Sequence, residues 1–242
     1  MRLLTALLLA AACLAQAQTG SPTLKIPPVK VSVNLDQQPI QIALWGTISP
    51  VASGTSALAL TVDLGDLQEH LTPVLAAQVN RSERCGDRLS VDHAVIAPSA
   101  PSGVLTANVN FERFACVKAF GKEIAKRLVG GHGVIEVSLT PSVEENDIAL
   151  AAEVRKIDAD GSLGEVLRSR SVGDSIRQDI ADGVQSAIQK LTNLKSALPA
   201  EMGKRVTIQS VEFADGGSGR LWLNIAGEAR LTAEQLRGVA GR

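Results

Sequence analysis

Tyrosine is absent from this chain, and aromatic residues make up only 2% of it: Trp45, Trp222, Phe111, Phe114, Phe120 and Phe213. So few rings make an aromatic sugar platform or a base-stacking surface hard to build. Histidine is equally scarce. His70, His93 and His132 are the whole set, and none has a histidine or cysteine at ordinary zinc-ligand spacing. His70 and Glu69 are neighbours in a helical pattern, and helix positions one apart do not share a face. Asp158-Ala159-Asp160-Gly161 starts like a calcium loop, but its sixth position is Leu163 and its twelfth Ser169, where glycine and glutamate are required. Gly130-Gly131-His132-Gly133 and Gly216-Gly217-Ser218-Gly219 lack the spacing of a dinucleotide or Walker loop, and no G-x-S-x-G elbow occurs. The reading is therefore of a non-enzymatic chain with no catalytic residue, no metal site and no cofactor.

Charge excess is lacking too. The chain holds 24 basic and 25 acidic residues. Its bulk charge encodes no attraction to phosphate backbones, so nucleic acid is not an expected partner. The first residues form a processing signal. Met1-Arg2 is a short positive start, Leu3 to Ala12 an apolar run, and Ala15-Gln16-Ala17 a small-x-small cleavage pattern. Residues 1–17 are thus read as a signal peptide and 18–242 as one α+β domain, exported and periplasmic. The rival reading makes Cys13 a lipidated first residue of an outer-membrane lipoprotein, but Ala10 three places before it makes a poor box. No transmembrane segment is expected in the mature chain, because a spanning helix needs about 20 apolar residues.

Cleavage leaves Cys85 and Cys116 as the remaining cysteines. Leu89 to Ala97 and Val104 to Val117 read as strands around Pro98-Ser99-Ala100-Pro101-Ser102-Gly103. A hairpin centred between residues 100 and 101 brings position 85 opposite 116, within disulfide reach. Export permits the bond; two buried free thiols are the alternative.

What is abundant is aliphatic patterning. Val29, Val31, Val33 and Leu35, then Ile40, Ile42 and Leu44, recur with period two, and Ala57 to Val62 supplies another strand. Leu67, Leu71, Leu75 and Val79 recur every fourth residue, with Asp66 as candidate cap and Pro73 near the start or at a kink. Phe120 to Val129 reads as a short helix stopped by Gly130-Gly131. Val134 to Leu139 and Ile148 to Ile157 read as a hairpin around Glu144-Glu145-Asn146-Asp147. Val172, Ile176, Ile180, Val184, Ile188, Leu191, Leu194 and Leu198 mark a long amphipathic helix, spanning roughly 40 Å and ending at Pro199. Val206 to Phe213 and Leu221 to Ile225 flank a Gly217-Ser218-Gly219 turn. Thr232 to Gln235 resembles a capping box.

This order predicts an α+β fold: a highly curved antiparallel sheet wrapped around or packed on a long amphipathic helix. Carried by Val172 to Pro199, Val206 to Phe213 and Leu221 to Ile225, the pattern resembles the tubular lipid-binding (TULIP-like) superfamily, in particular its small bacterial envelope members. The resemblance implies a sheet able to enclose an apolar cavity, and it carries no catalytic residue over to this chain. The expected function is an envelope binding or carrier protein in lipid transport, holding a lipid or other apolar small molecule against Ile176, Ile180, Val184, Ile188 and Trp222. The alternative is an envelope adaptor or assembly protein with a solid core, which binds an envelope protein at a sheet edge.

Overall fold

A computed structural model describes residues 23–35, 38–51, 55–82, 85–119, 122–160, 164–165, 178 and 205–230. Strand accounts for 77% of these. One five-stranded antiparallel sheet contains β1 (Leu24–Leu35), β2 (Gln38–Pro50), β3 (Ser56–Asp63), β10 (Leu221–Ala229) and β9 (Val206–Asp215), in that spatial order. The other contains β4 (Arg81–Ser82), β5 (Gly86–Ser99), β6 (Ser102–Ala119), β7 (Lys122–Glu144) and β8 (Asp147–Ala159), also in spatial order. A single helix of some length, α1 (Gly65–Val79), joins them among the described residues.

The expected α+β fold is corrected by this architecture. The described chain is mostly β, and it contains no long helix for a sheet to wrap around. Of the tract from Val172 to Leu198, on which that expectation rested, Gln178 is described, as helical, and the rest lies outside the described residues, as do the signal segment and the capping box at Thr232. The described part of the helix expected over Phe120 to Val129, from Lys122 onward, is strand instead. Ile124, Lys126 and Val129 pair with Val117, Ala115 and Arg113, so β7 runs straight through Gly130 and Gly131. Helix propensity in Lys-Glu-Ile-Ala-Lys-Arg-Leu is worth only tenths of a kcal/mol per residue. A continuous ladder with β6 outweighs it.

Elsewhere the alternation translates directly into buried faces. Leu58, Leu60 and Val62 point inward from β3, as do Leu221, Leu223 and Ile225 from β10 and Ile40, Ile42 and Leu44 from β2. Cross-strand rows such as Leu44, Val62, Leu223 and Phe213 therefore run across the first sheet. The second sheet answers with Ile96, Leu105 and Val137, and with Ala94, Ala107 and Ile135. These faces and the α1 side chains Leu67, Leu71, Val74 and Leu75 form one continuous core. Each fully buried leucine or isoleucine contributes about 1.5–3 kcal/mol.

Helix α1 begins differently from the sequence expectation. Leu64 occupies its N-cap without a side-chain bond, and Asp66 lies in the first turn. The Gly65 amide instead donates to Asp63 Oδ1 at 2.9 Å. Pro73 lies inside the helix.

The polar side of α1 covers the outer edge of β5. Thr72 Oγ1 accepts from the Ala94 amide at 3.0 Å. Asn80, just past the helix end, accepts from the Val91 amide at 2.8 Å. Gln68 Nε2 donates to the Ile96 carbonyl at 2.9 Å and to the Gly219 carbonyl at 3.0 Å, while Gln68 Oε1 accepts from the Leu221 amide at 2.8 Å. One carboxamide thus bonds to both sheets.

The free edge of β9 is covered by two turns of the other sheet. Pro101, in the β5–β6 turn with its cis Ala100–Pro101 bond, accepts from the Phe213 amide at 2.9 Å. Asn146 sits in the β7–β8 turn, where Glu145 and Asn146 have φ of 48° and 68°, the geometry of a tight hairpin. Its amide donates to the Val206 carbonyl at 3.0 Å and accepts from the Ile208 amide at 2.6 Å.

Replacing Gln68 with alanine strands backbone groups of both sheets, and should lower unfolding free energy by about 1–3 kcal/mol. Glu69→Ala on the exposed side should cost under about 0.5 kcal/mol. Urea unfolding of both variants checks this; equal midpoints would show that Gln68 does not join the sheets.

Candidate functional site

Three surfaces carry side-chain groupings that could act. The first is the outward face of the first sheet. Trp222 lies between the inward Leu221 and Leu223, so it points outward, where it meets Trp45 edge to face with ring centroids 5.3 Å apart and planes at 83°. Its Nε1 is closed from solvent and has no hydrogen-bond partner among the described residues. Gly216 lies against the ring so closely that a Cβ there would come within 2.2 Å of Trp222 Cε2. Next to this pair, Arg220 donates to both carboxylate oxygens of Asp63, at 2.8 and 2.7 Å. Burial raises the Asp63 pKa, but the hydrogen bonds from Arg220 and Gly65 and the guanidinium charge outweigh it and hold the carboxyl below its ordinary 3.8. This corner clamps the β9–β10 turn to the start of α1. Its aromatic atoms are engaged with one another.

The second surface is a groove of about 470 Å³ on the outside of the second sheet, lined by Asp92, Asn108, His132, Val134, Asp158 and Asp160 among others. Its carboxylates are already engaged in part: Asn110 Nδ2 donates to Asp92 and Lys156 Nζ to Asp158. No cluster of histidine, cysteine and acidic residues able to hold a metal occurs among the described residues. His70 stands apart from this groove, its Nδ1 at 2.9 Å from the Asp66 carbonyl one helical turn away.

The third surface is an arm. Pairing of β5 with β6 stops at Gly86 opposite Phe114. Pairing of β8 with β7 stops at Ala159 opposite Gly133. Strands β6 and β7 continue together beyond both points, to Ala119 opposite Lys122. Phe111 is buried in the core, and with a period of two Val117 prolongs that inward face. Val117 stands opposite Ile124, yet the two are 54% and 53% exposed, and Leu128 is 59% exposed. Leu128 is the extra residue of a bulge, since Arg113 pairs with Val129 and Phe114 with Arg127. Core-type side chains thus run past the end of the core.

The base of the arm is held firmly. Cys85 and Cys116 form a disulfide with Cα atoms 5.6 Å apart. The Arg88 guanidinium lies 4.0 Å from the Phe114 ring centre, and Arg127 Nε is 3.2 Å from Glu112 Oε1. From 112 to 128 the sequence has five basic residues (Arg113, Lys118, Lys122, Lys126, Arg127) against two acidic ones, in a chain whose net charge is -1.

Sequence reasoning anticipated the disulfide and missed the arm. A bulge at Asp92 moves the register by one, with Val91 opposite Val109 but His93 opposite Asn108, and the cysteines still meet. Of the expected ligand-wall residues, Ile176, Ile180, Val184 and Ile188 lie outside the described residues, and Trp222 is the outward-facing ring described above. The arm had a readable signal: a hairpin centred between residues 120 and 121 sets Val117 opposite Ile124. The helix-forming composition of the segment hid it. No family model matches this chain, and no curated protein matches it.

Two outcomes follow. Because the folded pKa of Asp63 is depressed, its ion pair stabilises fully above the ordinary carboxylate pKa and loses its effect as pH falls through the lowered value. The stability gap between wild type and Asp63→Asn should therefore shrink as pH drops below 3.8; a gap independent of pH in urea titrations would refute the assignment. Removing the disulfide, whose cysteines are 31 residues apart, with Cys85→Ser and Cys116→Ser should cost about 2–4 kcal/mol, read from the same titrations.

Proposed function

We propose that this chain is an exported, non-enzymatic adaptor or assembly protein of the cell envelope, periplasmic after signal removal, which binds another polypeptide through the β6–β7 arm. One observation carries the reading: Val117 and Ile124 are exposed on the prolongation of a face that is otherwise core, and Leu128 is exposed at the bulge close by. Exposed aliphatic residues grouped at one place mark interaction surfaces more often than chance surface residues do. The disulfide supports an oxidising compartment. No helix among the described residues is long and apolar enough to cross a membrane.

The lipid-carrier reading draws less support. Its mechanism is burial of acyl chain in an apolar cavity, whereas the inward faces of both sheets and α1 pack into one core, and the groove of about 470 Å³ is polar and lies outside it.

Site-specific photo-crosslinking in cells separates the readings. A crosslinking amino acid at position 124 should give a discrete protein adduct, and one at position 153, on exposed β8, should not. Native mass spectrometry of the mildly purified protein should show its bare mass. A copurifying fatty acid or lipid, together with no adduct at 124, would overturn the adaptor proposal in favour of carriage.

A further inference from the structure

Most strand edges in this molecule are covered or interrupted. Edge β9 is bonded by Asn146 and Pro101. Edge β5 is bonded by Gln68, Thr72 and Asn80, and β4 pairs with it at Leu89. Strand β1 breaks its register at Pro27-Pro28. Strand β8 carries the extra residue Arg155 of a bulge, beside exposed Glu153 and Lys156. These are the devices that keep sheets from pairing with other chains.

The side of β7 away from β6 differs. From Lys122 to Gly131 it has no strand partner on that side among the described residues, since β8 begins to pair only at Gly133. Between Lys122 and Arg127 it has neither proline nor bulge. The matching edge of β6 is shorter and is stapled by Cys85 to Cys116. A strand lying along β7 would meet two kinds of side chain. On the prolonged core face are Ile124 and Lys126, with Val117 behind them; on the other are Ala125 and Arg127, the latter already paired with Glu112. An incoming strand therefore needs an aliphatic residue opposite Ile124 and, two places along on the same face, an acidic residue opposite Lys126.

Resting on the adaptor reading, we infer that the edge of β7 from Lys122 to Gly131 binds an extended segment of a partner protein, in which an aliphatic and an acidic residue stand two places apart on one face, by adding it as a strand to the second sheet. Backbone hydrogen bonds supply the affinity, and the order of side chains along one face the selectivity. The cationic side chains set the sign of the partner.

The test uses the full mature, oxidised protein and labelled peptides about ten residues long, the length of a long strand. In one peptide valine and glutamate take turns at every second position, with threonine between them; in the other, lysine replaces each glutamate. Fluorescence anisotropy should show the glutamate peptide binding at least about tenfold more tightly, ~1.4 kcal/mol. Its binding should slow amide exchange at alternate residues between 122 and 131. N-methylation of alternate peptide amides should abolish binding. Lys126→Glu, an exposed position, should leave the unfolding midpoint unchanged and reverse the peptide preference.

Several results would overturn the inference: no binding of either peptide, equal binding of both, or protection confined to another strand. Flotation with anionic phosphatidylglycerol vesicles but no peptide binding would assign the arm to a lipid surface instead. Concentration-dependent dimerisation lost in Lys126→Glu would assign it to a second copy of this chain. If the position 124 crosslink to a protein persists while the peptides fail, strand addition is wrong and the adaptor reading stands. If the crosslink is absent as well, both fall.

Discussion

The carboxamide of Gln68 holds together what the sheets alone cannot. Two antiparallel sheets facing one another attract through apolar burial, which has no direction and fixes no relative position. Gln68 bonds the edge of β5 through Ile96 and the start of β10 through Gly219 and Leu221. It thereby sets the position of one sheet on the other by hydrogen bonds, whose geometry is narrow. At the far side the turn residues Pro101 and Asn146 perform the same task on β9. The core is thus bounded by polar contacts that strand edges require in any case.

Those contacts also explain the arm. A strand that has to reach a docking partner within the molecule is as long as that distance, and β5 and β8 end where the core ends. Strands β6 and β7 do not end there. Cys116 ties β6 to Cys85 at the point of departure, and Arg88 and Arg127 brace the outer face. The exposed Val117 and Ile124 therefore lie on a two-stranded ribbon that is cross-linked at its base.

Much of the strand pattern was legible because it is local. Alternation in Ala57 to Val62, Val206 to Phe213 and Leu221 to Ile225 needs no knowledge of distant residues, and the turns at Asn146 and Gly217 announce themselves. The four-residue spacing of Leu67, Leu71 and Leu75 likewise located α1. What stayed hidden depends on partners. Lys122 to Leu128 has good helix formers throughout, and only its pairing with Arg113 to Ala119 makes it strand. The fold class followed a long periodic tract almost wholly outside the described residues, so it overstated the helix and understated the sheet. At the candidate site, the cysteine pair was readable from hairpin symmetry. The exposure of Ile124 was not, because periodicity reports which face a residue shares, and coverage of that face depends on where neighbouring strands stop.

Strand order has a further consequence for biogenesis. The second sheet is a run of consecutive hairpins, β5 to β8, whose contacts close over short stretches of chain. In the first sheet β3 is flanked by β2 and by β10, with Leu60 opposite Ile225. Closing so long a loop is entropically slow. A chain emerging N-terminus first carries β3 with one bare side until its last tenth or so has been made. Completion of the molecule waits on its C-terminal hairpin, and truncation there would leave an open sheet rather than a slightly smaller protein.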